Sequence, residues 1–327
     1  MCKYTSVATG YLVLFQIVAT ANVRVSELVD RYRETQDRLQ QSFIIRFEST
    51  VSFSYKLGNS KRSGKKTELI ELRFDGDRSA LRRTLWGDVN SKTTDLPRNE
   101  ALYKSYLWDG EHHTRYSKAS LGKYADYVVR DKGFGNHNMA FRSSDKELMG
   151  FFSGDKERVD SILSKANRIS VRDEMDTIGG AGCYVIDALT DHGKYALWID
   201  PEHGYNVARA IVWKKDHHIY ENNSPSKGHV SVQVLENVRF EKIDDIWVPV
   251  EADVKYNRKG SSGDFSDSEL HVKRTEVVLN PDHDALGSFV PDDIPNGTRV
   301  RVVQTPGTSY FWLEGKPVLA RPPKTVP

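Results

Sequence analysis

The sequence predicts a mainly β chain of the α+β class: one large curved antiparallel sheet, an N-terminal helix, and mid-chain helices over the concave face. Three observations carry this. From Phe43 onward apolar residues alternate with polar ones, segment after segment. Short turns such as Asp75-Gly76 and Asp109-Gly110 separate the segments, because Gly accepts positive φ and Asp bonds its own backbone. Helical spacing is confined to a stretch near the start and another midway. Consecutive strands joined by short turns make a meander, and a large curved sheet must bury one face.

The elements follow in order. Met1 to Gly10 carries Lys3, an apolar run spans Tyr11 to Val18, and Ala19-Thr20-Ala21 supplies the small-x-small pattern of a cleavage site. Residues 1–21 therefore read as a signal peptide cleaved before Asn22, too short in its apolar run for the roughly 20 residues of a membrane span. The mature protein is expected in the periplasm or outside the cell. Ser26 is placed as the cap of a helix with Leu28, Val29, Tyr32 and Leu39 on one face, ending near Gln41.

Phe43, Ile45 and Phe47, then Val51, Phe53, Tyr55 and Leu57, alternate as half-buried strands. Lys56 to Lys66 reads as a solvated basic hairpin tip, with an anionic membrane surface as the alternative use of its charge. Ile70 to Phe74, Tyr103 to Trp108, Tyr195 to Ile199, Val207 to Trp213, Val230 to Val234, Val248 to Tyr256 and Leu270 to Leu279 continue the pattern. Asp155 to Ala166 is the mid-chain helix, with Val159, Ile162 and Leu163 on its apolar side. Residues 22–282 form the main domain, and residues 283–327 form a tail with a hairpin through Arg299 to Val303 and Tyr310 to Leu313, turning at Glu314-Gly315. Pro322, Pro323 and Pro327 mark a frayed end.

Composition narrows the function. The 327 residues carry 47 Lys+Arg against 45 Asp+Glu, a formal charge of +2, which gives no general reason for nucleic-acid binding. An aromatic content of 10% is enough to build a core and argues against disorder. Of the 2 Cys, Cys2 lies in the removed segment. Cys183 is left without an internal disulfide partner, and at the start of an apolar strand it reads as a small buried hydrophobe.

Tyr106-Leu107-Trp108-Asp109-Gly110-Glu111 with Tyr116, and Tyr195-Ala196-Leu197-Trp198-Ile199-Asp200-Pro201 followed by Arg209-Ala210-Ile211-Val212-Trp213, carry a family resemblance. Together with the signal, first helix and meander, they resemble the periplasmic lipoprotein-carrier superfamily of LolA, LolB and outer-membrane lipoprotein-sorting proteins. The resemblance spans Val25 to Leu279 in architecture and does not reach the tail. It implies an incomplete β-barrel whose concave interior accepts acyl chains beneath a helical lid.

On that implication the ligand is a lipid acyl chain or a lipidated protein, with an envelope protein and peripheral membrane contact as further partners, and nothing catalytic. The lining residues would be Phe53, Tyr55, Ile70, Leu72, Phe74, Leu197, Ile199, Val232 and Val250, with Arg209 as lid anchor. A closed core explains each of these side chains equally well. The alternatives are an envelope sensor or scaffold with a filled core on the same fold and, less favoured, a metal-dependent hydrolase.

No cofactor is expected. The adjacent pairs His112-His113 and His217-His218 point to opposite faces of a strand and cannot chelate one ion as they stand. Gly179 to Gly182 lacks phosphate-loop spacing, and no G-x-S-x-G elbow occurs.

Overall fold

A computed structural model describes residues 24–87, 101–119, 122–129, 143–219, 228–260 and 262–320. The expected signal peptide, the cleavage site before Asn22, Cys2 and the final prolines lie outside the described residues. Helix α1 (Val25–Leu39) buries Leu28, Val29, Tyr32, Gln36 and Leu39, the spacing of one helical face. Its cap is Arg24, with no side-chain hydrogen bond, and Ser26 falls inside the first turn. The second helix, α2 (Val159–Ser164), is shorter than the sequence suggests.

The strands are β1 (Phe43–Leu57), β2 (Ser60–Phe74), β3 (Ser79–Gly87), β4 (Leu102–Trp108), β5 (His112–Ala119) and β6 (Gly122–Val129) before the helices. After them come β7 (Arg168–Val171), β8 (Asp176–Ile178), β9 (Ala181–Thr190), β10 (Gly193–Asp200), β11 (Asn206–Lys215), β12 (Val230–Ile243), β13 (Ile246–Lys259) and β14 (Phe265–Leu279). The tail adds β15 (Arg299–Val302), β16 (Tyr310–Leu313) and β17 (Lys316–Leu319).

Pairing runs β9-β10-β11-β12-β13-β14 and then returns to β1, which continues through β2-β3-β4-β5-β6. The sheet is antiparallel and does not close into a barrel. β7 and β8 pair with β9 at one end. At the other, β15 adds to β6 in parallel, the single exception to the antiparallel pattern among the described residues, and β16 and β17 follow.

The expected basic loop at Lys56 to Lys66 is a correction. β1 and β2 pair as far as Leu57 and Ser60, so Gly58 and Asn59 alone make the turn and Lys61 to Lys66 belong to the ladder. Gly58 supplies the positive φ of 57° that such a turn requires.

Directly paired residues of antiparallel strands share a face. The register therefore assigns the inner face, on which α1 lies. Phe43, Ile45 and Phe47 on β1 align with Phe74, Leu72 and Ile70 on β2, and Leu72 aligns with Leu81 on β3. These join Leu28, Tyr32, Leu197, Ile199, Val250 and Val272 in the main core.

The outer face carries separate clusters. The tail covers β3 to β5 there, with Phe289 against Ala80 and Leu107, and Ile294, Val300, Val302 and Trp312 against Tyr116. Tyr103 donates to Asp293 at 2.7 Å, and Arg82 pairs with Asp292. Another outer cluster gathers Cys183, Val185, Ala196 and Trp198.

Candidate functional site

The inner face is crossed by a strap, the chain from Ser143 through α2, and each crossing point is a buried or partly buried polar contact. Ser144 donates to Glu68 on β2 at 2.7 Å. Asp145, fully buried, receives the Arg274 guanidinium of β14 through Nη2 at 2.8 Å and Nε at 3.0 Å, and Arg274 also donates to the Pro249 carbonyl at 2.9 Å. Gln233 on β12 donates to Glu147 at 2.7 Å and accepts from the Ser153 backbone N–H at 2.6 Å. Asp155 accepts from Tyr195 on β10 at 2.7 Å, lies 3.0 Å from His192 Nδ1, and pairs with Lys214 of β11. The strap thus runs from β2 to β10, and Leu148, Met149, Phe151 and Phe152 fill the space between these contacts.

Charges in the strap respond to burial. Glu147 is buried with Oε2 lacking a hydrogen-bond partner, and desolvation raises its pKa above the ordinary glutamate value. Burial would also raise Glu68, but Lys66, the Ser144 hydroxyl and Arg83 together hold it below that value. Burial, reinforced by Asp155, pushes the Tyr195 phenol well up.

Helix α1 is held by groups that sequence spacing did not reveal. Gln36 donates to Asn206 at 2.9 Å, and Asn206 in turn donates to the carbonyls of His203 and Trp247. Thr35 donates to the Gly204 carbonyl at 2.6 Å, and Arg33 joins α1 to Asp160 of α2. Gly150 has φ of 83°, and a Cβ there would sit 2.1 Å from the Tyr32 hydroxyl oxygen, so the strap approaches α1 as closely as glycine permits.

Beyond the strap, the inner face continues along the distal halves of the long strands. Arg258, Ser266, Tyr55 and Arg62 form one cross-strand row; Tyr256, Ser268, Phe53 and Gly64 form the next. A third row contains Val254, Leu270, Val51 and Lys66. The Phe53 and Tyr55 rings stack at 6.3 Å. Arg83 and Lys104 lie on the same face, since Arg83 pairs with both Ile70 and Lys104. Phe53, Tyr55, Tyr256, Leu270, Arg62, Lys66, Arg83, Lys104 and Arg258 are all half-buried. Among the described residues of these rows and the Ser49–Glu68 pair beside them, Glu68 is the one carboxylate.

The residues singled out by sequence separate into distinct places. Ile70, Leu72, Leu197, Ile199 and Val250 lie in the closed core beneath α1 and the strap. Phe74 is half-buried, stacked on Phe43 at 5.6 Å, and borders an open cleft of about 570 Å³ shared with Asp37, Arg38, Gln40, Gln41 and Arg158. Phe53 and Tyr55 belong to the distal reach. Val232 is on the outer face, because it pairs with Trp213 while Ser231, Gln233 and Leu235 turn inward.

Arg209 pairs with Trp198 on the outer face and lies over its ring at 4.9 Å, with Nε lacking a hydrogen-bond partner. Of the paired histidines, His112 bonds Asp109 at 3.3 Å and His113 packs on Trp108, whereas His217 and His218 lie in a turn rather than on opposite faces of a strand, their tilted rings 4.2 Å apart. Among the described residues no group of three or more His, Cys, Asp or Glu could hold a metal ion. Cys183 is fully buried, and burial pushes its thiol up to about 12.

No family model and no curated protein matches the chain. Solved structures do. A domain assigned to outer membrane lipoprotein sorting from Vibrio parahaemolyticus matches at 11% identity and TM-score 0.36, over 78% of this chain and 92% of that one. A DUF1329 family protein from Desulfovibrio piger matches at 12% and 0.36, over 79% and 94%. A LolA superfamily protein from Nitrosomonas europaea matches at 11% and 0.32, over 83% and 100%. At these identities and TM-scores nothing about ligand or partner is taken from them.

Proposed function

We propose that the chain is an exported, non-catalytic carrier of the bacterial envelope whose inner face takes the acyl chain of an anionic lipid or of a lipidated protein. The observation that supports this is the distal reach: Val51, Phe53, Tyr55, Tyr256 and Leu270 form an apolar floor, and Arg62, Lys66, Arg83, Lys104 and Arg258 stand among them. Apolar burial supplies affinity and the cations supply head-group preference. Each buried methylene contributes about 0.8 kcal/mol, so a chain of about sixteen carbons yields on the order of 12 kcal/mol gross. Longer insertion would displace the strap, whose Asp145–Arg274 and Asp155–Lys214 contacts set the cost of opening.

The second reading, a sensor or scaffold with a filled core, draws on a different observation. Ile70, Leu72, Leu197, Ile199 and Val250 are already covered by this chain's own side chains. Native mass spectrometry of protein taken from the envelope, with titration of a fluorescent fatty acid, separates the two. The carrier reading expects a lipid adduct and saturable uptake that falls at least tenfold in Phe53→Glu and in Arg62→Glu/Arg258→Glu. A ligand-free mass with no uptake would sink it and leave the scaffold.

A further inference from the structure

The tail's three-stranded ladder has a face that the described residues leave uncovered. Trp312 and Val300 point inward and are buried, so the alternate residues point away. Register puts Arg299, Phe311 and Val318 in one outward row and Leu313 with Lys316 in the next. Phe311 is 44% exposed and Leu313 45% exposed, far above what burial-seeking residues of their size normally show.

Of the 15 large hydrophobic residues exposed in the described chain, five (Val303, Phe311, Leu313, Val318 and Leu319) fall between positions 303 and 319; Phe311, Leu313 and Val318 lie on this outward face, while Leu319 pairs with Tyr310 on the opposite one. The rest are spread over the remainder of the molecule. Arg299, Arg301 and Lys316 are exposed around them, against the single carboxylate Glu314 between Arg299 and Leu319.

We infer that this face docks the protein on an anionic lipid surface. Aromatic and aliphatic side chains ringed by arginine and lysine match the boundary between head groups and acyl chains, where the apolar groups sink and the cations meet phosphates. A β-strand partner is a poorer fit for the adjoining edge. β17 has four residues, begins with a lysine and contains Pro317, which has no N–H to offer, and all three features blunt strand addition. The inference is independent of what the inner face binds.

Co-sedimentation of the full chain with vesicles of phosphatidylglycerol and phosphatidylethanolamine tests it. Phe311→Asp/Leu313→Asp should weaken binding at least tenfold, while the apolar N-terminal run stays common to both proteins. Arg299→Glu/Lys316→Glu should weaken binding to these vesicles and leave purely zwitterionic vesicles unaffected. An environment-sensitive fluorophore on Phe311→Cys, in a chain carrying Cys2→Ser, should shift to the blue on vesicle addition.

Unchanged sedimentation of the aspartate variant, or a probe that stays in water, would overturn the inference. So would a vesicle-free dimer that Phe311→Asp/Leu313→Asp dissolves, because a second copy would then be the occupant. Fatty-acid uptake measured on the same variants should match the unsubstituted chain, which keeps this test apart from that of the inner face.

Discussion

Replacing Asp145 with alanine should cost about 3–5 kcal/mol of folding stability, the range for removing one partner of a buried ion pair. The magnitude follows from what stays behind. Arg274 has a side chain only 3% exposed, and of its contacts at 2.8, 3.0 and 2.9 Å only the Pro249 carbonyl survives. A guanidinium with most of its donors unmatched in a dry core is worse than no charge at all. Removing both charges together, in Asp145→Leu/Arg274→Met, should recover most of the loss and bring stability within about 1–2 kcal/mol of the starting protein. The measurement is urea unfolding of all four members of the double-mutant cycle. A cost below about 1 kcal/mol for Asp145→Ala, or a double variant as unstable as the sum of the singles, would refute the reasoning that this pair pins the strap.

Two further outcomes are expected. Gly150→Ala should destabilise by about 2–5 kcal/mol, combining left-handed backbone strain with overpacking against the Tyr32 hydroxyl, and Tyr32→Phe in the same chain should return part of it in thermal unfolding. For Glu147, burial raises the folded pKa, so its contribution to stability is fully present below the ordinary glutamate value and is lost as pH rises through the raised one. The neighbours that face it are Lys146 at 3.9 Å, Gln233 and Asp145, itself bound to Arg274. Glu147→Gln should therefore gain stability relative to the parent at neutral pH and none at pH 4; urea midpoints at both pH values that move in parallel would contradict this.

The strands and the first helix were legible because burial on one face leaves a period in the sequence. Phe43, Ile45 and Phe47 alternate as a half-buried strand must, and Leu28, Val29, Tyr32 and Leu39 keep helical spacing. The rule failed on β12. Val230, Val232 and Val234 look like its buried face, yet Ser231, Gln233 and Leu235 turn inward, because Gln233 is needed to bind Glu147 and Ser153 of the strap. Polarity inside a sheet is invisible until its distant partner is known.

The strap itself was hidden for the same reason. Asp145 reads as a surface residue until Arg274 is placed beside it, and Lys214 reads as the solvated end of a strand although it is fully buried against Asp155. Lys61 to Lys66 misled in the opposite direction: a charged, Gly-containing stretch resembles a loop, but β1 provides ladder partners along its whole length. The distal site was half legible. Phe53 and Tyr55 declared themselves by alternation, whereas Arg83, Lys104 and Arg258 join them only through the register of five other strands.

The parallel pairing of Val300 with Ala125 has a consequence for biogenesis. Most other neighbours in the sheet are hairpin partners that can be joined as soon as the second strand emerges from the ribosome, but β1 must wait for β14, and the edge at β6 waits until β15 is made. Until then its amide and carbonyl groups are a template for any extended segment nearby. A chain halted ahead of Arg299 would keep that template permanently. It should accumulate as edge-to-edge assemblies detectable by light scattering, in which another molecule supplies the missing strand.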